Sequence, residues 1–463
     1  MLGSYNQLLR SRPDVPDILS DYYRVSDVFD ALSDAKSSPV GPGFFQFGSA
    51  IKCYGHCSSG VSKTIAGARF YDSLEKVYVE KSRLHLPFDP AEVVDCLRLE
   101  TYEKDLTPFR ERLVTGTRAL KTYYFLRNGM PTALRRSMQR AYFSDWKRRP
   151  FPAWPVDVTV DDLHKKLLQL VMAAAGVQRV PFIWFWPDGA PSCLILTHDV
   201  ETSAGRDFTS PLMDVDECYG FRASLQVIPE ERYHVSDEYV CQIRDRGFEF
   251  NIHDLNHDGR LYRDRDEFLR RATKINEYAR RYNAYGFRAG AMYRNVNWYD
   301  AFEFSYDMSV PNVAHLEPKR GGCCTVFPYF VGNVLELPLT TTQDYSLIHI
   351  LGDYSLHLWN KQLDLIRRRN GLMSFLVHPD YLIERRARGL YESLLGVLRE
   401  LVTRDKVWAA LPGDVDRWWR IRRQLKLSAK NGSWQMEGPG KERARIAYAV
   451  LDGDRLTYEI SGN

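Results

Sequence analysis

An apolar stretch in the middle of the chain ends on two carboxylates that could take part in chemistry. Residues 194–201 read Leu-Ile-Leu-Thr-His-Asp-Val-Glu, and such an apolar run is typical of a strand buried on both faces of a parallel sheet. Side chains alternate along a strand, so Asp199 and Glu201 share one face with Thr197. Two buried acids are costly unless a cation or hydrogen bonds compensate them. The stretch therefore predicts such a partner, and the alternative is a solvated loop beyond the strand.

A second candidate is the pair His253 and His257, which lie four residues apart. On a helical turn this spacing places two imidazoles on one face, where they can bind one divalent ion. A carboxylate from the neighbouring strand would complete a site of two histidines and one acid, with open positions for water and substrate. Such a site activates water and polarises a carbonyl. The alternative is a pair of surface histidines, and the acids expected nearby favour the metal site.

Polar side chains stand at or near the ends of six predicted strands. In a parallel α/β barrel the C-terminal ends of the strands converge on one mouth, where active sites are built. One polar strand end would mean little, whereas six indicate a shared site. The residues are Asp199 with Glu201, His253, Arg288, Asp307, Glu336 and His378.

The elements that must position these residues alternate between strand and helix from residue 193 onward. This alternation predicts a parallel sheet or barrel. Polar helical stretches are predicted at 264–282 and 355–370. The strands are predicted at 193–200, 224–228, 248–253, 285–288, 304–310, 334–339, 373–378 and 407–411.

The chain of 463 residues is too long for one ordinary core. We expect an N-terminal α+β accessory region over 1–185, whose role the sequence does not indicate, and a catalytic barrel over 186–420. Residues 421–463 are expected to form a small antiparallel β appendage, because Asp452-Gly453 is a strong hairpin turn signal.

Five motifs of this chain occur in the order and approximate spacing of the polysaccharide deacetylases, carbohydrate esterase family 4, and resemble them. The subgroup that matches best has a first motif Asp-Val-Asp, where this chain has Asp-Val-Glu. The resemblance covers about residues 190–415, and it implies a distorted parallel (β/α) barrel that uses zinc or another divalent metal. The motifs lie at 197–201, 253–257, 287–289, 306–309 and 376–379.

The resemblance implies a role for each matching position. Asp199 matches the general base that deprotonates the attacking water, and Arg288 matches the arginine that keeps this base ionised. His378 matches the general acid that protonates the departing amine, and Asp307 matches the carboxylate that orients this histidine. The metal ligands are matched by His253 and His257.

Two positions depart from the family pattern. Glu201 stands where the subgroup has aspartate, and strand alternation favours Glu201 over Val200 as the carboxylate ligand. Whether Glu201 or Asp199 binds the metal stays open. Ala289 follows the arginine where the family usually has proline, which loosens a loop expected to supply a backbone donor to the oxyanion.

Charge is concentrated in one segment. The net charge is only +4, which argues against a nucleic-acid binder, but residues 106–149 carry eleven Lys and Arg against two acids, or +9. Aromatic residues are interleaved with these charges. One interpretation is peripheral contact with anionic lipid headgroups or with a pyrophosphate-linked substrate. The other is a solvated helical face whose aromatic residues pack inward.

The N-terminus has no signal-peptide pattern, and no apolar run is long enough to span a membrane. The eight cysteines show no disulfide spacing. We therefore expect a cytoplasmic protein, with the inner membrane face as a further location if the basic segment binds lipid.

These features predict a metal-dependent hydrolase of non-peptide carbon–nitrogen bonds. The expected reaction is N-deacetylation of an amino sugar, lipid- or nucleotide-linked forms included, during polysaccharide, exopolysaccharide or glycolipid synthesis. One alternative is hydrolysis of a non-sugar bond, as in a cyclic imide or ureide. Another is a non-catalytic saccharide-binding or scaffold module, against which the presence of every expected catalytic side chain argues.

Overall fold

The computed structural model of the protein describes residues 18–25, 41–65, 70–80, 83–106, 132–431 and 433–461. The N-terminal part combines helices with two antiparallel hairpins, β1–β2 and β3–β4. Its strands are β1 (Gly43–Phe47), β2 (Ile51–Gly55), β3 (Tyr78–Glu80), β4 (Arg83–His85) and β5 (Arg179–Ile183). Its helices are α1 (Ile18–Tyr23), α2 (Pro90–Arg98), α3 (Glu103–Leu106), α4 (Thr132–Tyr142) and α5 (Thr159–Ala174).

In the central part α-helices separate most of the strands, as the sequence predicts. Its strands are β6 (Cys193–Val200), β7 (Ser224–Val227), β8 (Glu249–His253), β9 (Gly286–Arg288), β10 (Tyr306–Asp307), β11 (Tyr329–Val331), β12 (Val334–Glu336), β13 (Leu372–Val377) and β14 (Trp408–Ala409). Its helices are α6 (Ser203–Cys218), α7 (Asp237–Asp245), α8 (Arg265–Arg281), α9 (His357–Arg367), α10 (Pro379–Leu382), α11 (Arg385–Thr403) and α12 (Pro412–Gln424).

These nine strands form one mostly parallel sheet in the order β11-β12-β10-β9-β8-β7-β6-β13, with β14 beside the start of β6. Only β11 runs antiparallel to its neighbour among the strand pairs described. The two edges are drawn together by Thr340 and Thr341, whose hydroxyls donate to the carbonyls of Leu372 and Ser374 at 2.8 Å. The predicted distorted parallel barrel with antiparallel sheets toward both ends of the chain is therefore confirmed.

Strand β6 is the centre of this sheet, and all eight of its residues are buried. It pairs in parallel register with β13 on one side and with β7 on the other. Its side chains alternate as expected: His198 faces outward and contacts Asp216 of α6 at 2.9 Å. Thr197 and Asp199 face inward, where both accept hydrogen bonds from Arg288.

Three predicted strands are markedly shorter in the structure, and the one predicted at 407–411 reduces to β14. The regular parts of 304–310 and 334–339 reduce to β10 and β12. The chain continues in extended form beyond both, since Leu337 N donates to Asp307 O at 2.8 Å and Leu339 N to Val310 O at 3.0 Å. The regular ladder is interrupted because Ser309 N and Val310 N donate to the side chains of Asp307 and Glu336.

The C-terminal residues form two hairpins. Strands β15 (Lys426–Lys430) and β16 (Ser433–Glu437) pair with each other, and β17 (Ile446–Asp452) pairs with β18 (Arg455–Ile460) across the expected Asp452-Gly453 turn. Strand β17 also pairs antiparallel with β5, which precedes the barrel in the chain. The second hairpin thus completes a sheet that begins before the barrel.

A buried ion pair joins the N-terminal region to the barrel. Arg294 donates to both carboxylate oxygens of Glu100, through Nε at 2.8 Å and through Nη2. Gly322 N donates to the same carboxylate at 2.6 Å. Burial alone would raise the pKa of Glu100, but the adjacent guanidinium lowers it below its ordinary value. The pair anchors the segment that follows Arg288 against the end of α2.

Candidate metal and catalytic site

The C-terminal ends of β6, β8, β9 and β13 bring the predicted site residues to one mouth of the barrel. Nε2 of His253 lies 3.6 Å from Asp199 Oδ2 and 3.8 Å from Glu201 Oε1. Nε2 of His257 lies 3.0 Å from the same Glu201 oxygen, and Nε2 of His378 lies 3.6 Å from it. Glu201 is therefore the centre of the cluster, with three imidazoles around one carboxylate oxygen.

Glu201, His253 and His257 have the geometry of a metal site. Their ligand atoms all lie within 4.8 Å of one another. Nδ1 of the His253 ring lies 3.1 Å from the backbone carbonyl of Arg288. Because a carbonyl can only accept, Nδ1 carries the ring proton, and the lone pair of Nε2 is available to a metal. Nε2 of both histidines is buried and makes no hydrogen bond of acceptable angle. Orphaned imidazole nitrogens facing a carboxylate fit Zn²⁺ or another divalent metal.

The two histidines do not share a helical turn, so that part of the sequence prediction is wrong. Residues after His253 form bends in which Asp254 and His257 adopt left-handed conformations, with φ of 57° and 54°. Asp254 N donates to the Arg288 carbonyl at 2.9 Å, which fixes the start of the bend. A Cβ on Gly290 would lie 2.5 Å from the Asp254 carboxylate and 2.8 Å from the His257 ring. Glycine is therefore needed at 290 for this loop to close.

An arginine of α8 holds the far end of the same loop. Its guanidinium, that of Arg271, donates to both carboxylate oxygens of Asp258 at 2.7 and 2.8 Å. Asp258 directly follows His257. Arg271 also donates to the side chain of Asn256 at 3.2 Å. The contacts with Asn256 and Asp258 together hold both sides of His257 and restrict the ring that this histidine presents to Glu201.

Replacing Arg271 by glutamine is expected to weaken binding of a divalent metal by about 10- to 100-fold, because His257 loses the support of its loop. Competition between the protein and a fluorescent zinc chelator measures this affinity. The matched control is Arg270→Gln, since Arg270 is 72% exposed and pairs only with Glu267 among the described residues. Equal metal affinity in the two variants would contradict the role given to Arg271.

Asp199 is buried and ionised beside Arg288. Arg288 Nη1 donates to Asp199 Oδ1 at 2.9 Å and to Thr197 Oγ1 at 2.8 Å, while its Nε donates to the carbonyl of Met308 at 3.0 Å. Burial would raise the pKa of Asp199, but the guanidinium and the nearby imidazoles lower it. One oxygen is thus held by Arg288, and Oδ2 faces the histidine cluster.

His378 is oriented by Asp344, which the sequence analysis missed. Asp344 Oδ1 lies 2.6 Å from His378 Nδ1, and its Oδ2 accepts from the backbone N–H of His378 at 2.8 Å. Burial alone would lower the pKa of His378, but the Asp344 carboxylate and the contact with Glu201 raise it well above its ordinary value. Its Nε2 points to Glu201, so the charged ring faces the mouth.

The contact with His378 predicted for Asp307 is not present. Asp307 accepts instead from Ser309, at 2.8 Å from both backbone N–H and hydroxyl, and from Tyr299 at 2.7 Å. The Ser309 hydroxyl in turn accepts from Ala289 N at 2.8 Å. Since β10 lies beside β9 and is separated from β13 by other strands, Asp307 supports the segment after Arg288.

Glu336, another predicted strand-end residue, lies inside the barrel. Its Oε1 accepts from Val310 N at 3.0 Å. Burial, and then the neighbouring Asp307, raise the pKa of Glu336 well above its ordinary value. A raised pKa keeps a second negative charge away from the Asp307 carboxyl, so Glu336 belongs to the barrel interior.

Asp380 connects the end of β13 to the segment that carries Glu201. Its carboxylate accepts from the Thr202 hydroxyl, and Oδ2 lies 3.5 Å from Glu201 N. Thr202 caps the N-terminus of α6, where its hydroxyl accepts from Gly205 N at 3.2 Å. Because α6 begins directly after this cap, the backbone position of Glu201 at the mouth is fixed.

The basic segment is described only from residue 132, and the predictions for 107–131 lie outside the described residues. Within the described part, Phe143 is buried beside Leu316 and Ile350, and the Trp146 ring packs 4.9 Å from that of Trp154. These aromatic rings pack inward. No helix in the described ranges is long and apolar enough to cross a membrane, and peripheral lipid contact by 106–149 stays a prediction.

No model of a known protein family matches the sequence, and no curated protein is found as a relative. Solved structures similar to the chain include a candidate polysaccharide deacetylase from Mycobacterium smegmatis, with 17% identity, a TM-score of 0.42, and coverage of 54% of this chain and 98% of that one. Another is the peptidoglycan deacetylase PdaC from Bacillus subtilis, with 14% identity, a TM-score of 0.32, and coverage of 50% and 93%. A third is a CE4 family pseudoenzyme from Bacillus anthracis, with 13% identity, a TM-score of 0.31, and coverage of 49% and 65%.

Proposed function

We propose that this protein is a metal-dependent amide hydrolase that removes the acyl group from an N-acylated amino sugar. The observation that carries the proposal is the arrangement around Glu201. Two orphaned imidazole nitrogens face this carboxylate, Asp199 stands on one side beside Arg288, and His378 stands on the other beside Asp344. A metal triad, an ionised base and a protonated acid are the groups that amide hydrolysis needs.

Glu201, His253 and His257 would hold the divalent ion. When bound, such an ion polarises a carbonyl and lowers the pKa of water. Glu201 is 24% exposed, so the cluster is reachable from solvent through this residue. We assign the metal-binding carboxylate to Glu201 because both orphaned imidazoles face it and because Asp199 is already held by Arg288.

Asp199 is proposed as the general base. Its Oδ1 accepts the hydrogen bond of Arg288, so Oδ2 is the oxygen left to take a proton from the attacking water. A lowered pKa keeps the carboxylate ionised and ready to accept. Arg288 is the residue that maintains this state, since removal of the guanidinium would leave burial as the dominant influence on Asp199.

His378 is proposed as the general acid. An amide nitrogen is a poor leaving group, and it departs as a neutral amine only if it gains a proton as the carbon–nitrogen bond breaks. His378 carries a proton on each ring nitrogen when charged; Nδ1–H is bound by Asp344, and Nε2–H faces the cluster. The products are then the free amino sugar and the carboxylic acid released from the acyl group.

The resemblance to the polysaccharide deacetylases supports an amino-sugar substrate and membership of carbohydrate esterase family 4, in the subgroup whose first motif is Asp-Val-Asp or Asp-Val-Glu. Lipid- or nucleotide-linked amino sugars of a cytoplasmic polysaccharide, exopolysaccharide or glycolipid pathway are the substrates we propose to test first. Glu201 and Ala289, which depart from the family pattern, lie at the metal site and beside Arg288. They are the positions at which we expect substrate choice to differ.

Purified wild-type protein is expected to contain about one divalent ion per chain and to release acetate from an acetylated amino sugar. The variant with both His253→Ala and His257→Ala is expected to contain none, because the orphaned nitrogens are its ligands. Elemental analysis after dialysis measures the ion, and acetate release measures turnover. His234→Ala serves as the control, since His234 is exposed and lies outside the cluster.

Equal metal content in the wild type and the double variant would contradict the metal site. Bound metal without turnover on any acylated amino sugar, in soluble, nucleotide-linked and lipid-linked forms, would contradict the proposed substrate class and favour a binding module.

A further inference from the structure

A small pocket away from the barrel mouth is lined by four arginines and one carboxylate. Its volume is about 30 Å³, and its charged lining residues are Asp21, Arg24, Arg98, Arg422 and Arg423. They come from α1, the end of α2 and the end of α12. The four cations on this wall exceed the one anion by three, in a chain whose net charge is only +4.

Arg422 is buried, with 3% of its surface exposed, and it has no carboxylate partner within ion-pair distance in the part of the chain that the structure describes. Its guanidinium donates to the backbone carbonyls of Ile183 at 2.8 Å, Tyr22 at 2.9 Å and Trp184 at 3.0 Å. Burial, together with the charge of Arg24, lowers the pKa of Arg422 to about 9. Carbonyl groups satisfy its hydrogen bonds, but they do not neutralise its charge. A buried charge without a counter-ion is costly.

Two further arginines on the wall, Arg98 and Arg423, also have no carboxylate within ion-pair distance among the described residues. Arg98 lies over the Tyr329 ring at 5.2 Å, and its Nε is buried without a hydrogen bond. Arg423 lies over the Phe330 ring at 4.6 Å and extends to the surface. Asp21 is exposed, and its charge acts on Arg422 only from beyond ion-pair distance. Arg98, Arg422 and Arg423 thus bring three positive charges to the pocket, and none of the three has a carboxylate within ion-pair distance among the described residues.

We propose that this pocket binds the phosphate group of a phosphorylated ligand. Guanidinium groups are planar donors that match the oxygens of phosphate, and several of them around one small cavity suit a single multiply charged oxyanion. A volume of about 30 Å³ is too small for a whole sugar or nucleotide. The anion would compensate Arg422 and give the buried Nε of Arg98 an acceptor.

An adjacent groove offers space for the remainder of such a ligand. It has a volume of about 560 Å³ and shares Tyr22 and Phe185 with the arginine pocket. Five cations and three carboxylates line it, which leaves an excess of two positive charges: Lys165, Lys166, Arg368, Arg369 and Arg455, with Asp161, Asp162 and Asp454. The Lys165 ammonium lies 5.5 Å from the centre of the Tyr458 ring. A cationic groove with an aromatic wall suits a sugar phosphate or a nucleotide better than an uncharged glycan.

The arginine pocket is separate from the proposed catalytic site. Phe185 precedes β6, and the adjacent Trp186 indole donates to the carbonyl of Asn370, which precedes β13, at 2.6 Å. Asp199 and His378 lie at or just after the opposite ends of these two strands. The eight residues of β6 at about 3.3 Å each place about 25 Å between its ends. The proposal therefore does not depend on the reaction catalysed at the mouth.

The test is calorimetric titration of the full chain with inorganic phosphate, glucose 1-phosphate and uridine diphosphate at constant ionic strength. Wild-type protein is expected to bind at least one of them. Arg98→Gln and Arg423→Gln are each expected to weaken binding about 10-fold, and the double variant about 100-fold, because each removes charge-assisted hydrogen bonds. Both side chains are at least partly exposed, so these variants are expected to fold.

Arg399→Gln is the control, since Arg399 lies on α11 outside both concavities. Stronger binding of glucose 1-phosphate or uridine diphosphate than of phosphate would support use of the groove as well. Thermal denaturation gives a second readout, because a bound ligand raises Tm in wild type and in the control but not in the double variant. Absence of binding by wild type to all three probes, or equal binding by the double variant and the control, would overturn the proposal.

Discussion

Replacement of Asp199 by asparagine is expected to reduce kcat by about 10³- to 10⁴-fold while the protein keeps its metal. Asparagine has nearly the same shape and can still face Arg288, but it cannot accept a proton from water. Asp199 also lies outside the triad whose ligand atoms fall within 4.8 Å of one another. Turnover and metal content should therefore separate in this variant. Acetate release and elemental analysis of the same preparation measure the two quantities.

Glu201→Ala is the matched comparison. Glu201 is proposed as a ligand, so its loss is expected to remove both metal and activity, because two imidazoles alone hold a divalent ion weakly. Asp207→Asn is the control, because it also removes a carboxylate near the start of α6. Asp207 is exposed and pairs only with Arg206 among the described residues. If Asp199→Asn lost its metal while Glu201→Ala kept it, the roles of the two carboxylates would be exchanged.

The barrel and most of the mouth could be predicted because local pattern and topology agree. An apolar run of this kind is typical of a strand buried on both faces, and β6 spans the predicted residues 193–200. The C-terminal ends of parallel strands lie on the same side of a sheet. The side chains at the ends of β8, β9 and β13 (His253, Arg288 and His378) therefore meet at the mouth. The alternation rule also predicted that Asp199 shares a face with Thr197, and both accept hydrogen bonds from Arg288 inside the barrel.

The geometry of the histidine loop could not be predicted from spacing. His253 and His257 meet because Asp254 adopts a left-handed conformation and donates to the Arg288 carbonyl, a residue 34 positions away in the sequence. A spacing of four residues is equally compatible with a helical turn. The left-handed bend forms instead of a helical turn because β9 supplies the carbonyl of Arg288 and because Gly290 leaves room for the loop.

Asp344 was missed because it does not end a regular strand. It follows residues 340–343, a polar run that closes the barrel through threonine hydroxyls instead of a backbone ladder. The run itself was visible in the sequence, as five polar residues directly after a predicted strand. The pairing of β17 with β5 was hidden for another reason: the two strands are separated by the whole barrel, and nothing local in either one identifies its partner.

Asp344→Asn is expected to reduce kcat for amide substrates by about 10²- to 10³-fold with little change in KM, because His378 would lose the carboxylate that orients it and keeps it protonated. The loss should depend on the leaving group. A phenolate from an activated aryl acetate departs without a proton, so hydrolysis of that ester should fall much less than hydrolysis of the amide. The ratio of the two rates measures the general-acid role.

Asp307→Asn distinguishes the structural assignment from the one that sequence resemblance implied. Asp307 contacts Ser309 and Tyr299 and not His378, so any loss of activity in this variant should affect amide and activated ester alike. His378→Ala should reproduce the leaving-group dependence of Asp344→Asn, and thermal denaturation of all three variants separates loss of fold from loss of acid. A selective loss of amide hydrolysis in Asp307→Asn, with none in Asp344→Asn, would return the orienting role to Asp307.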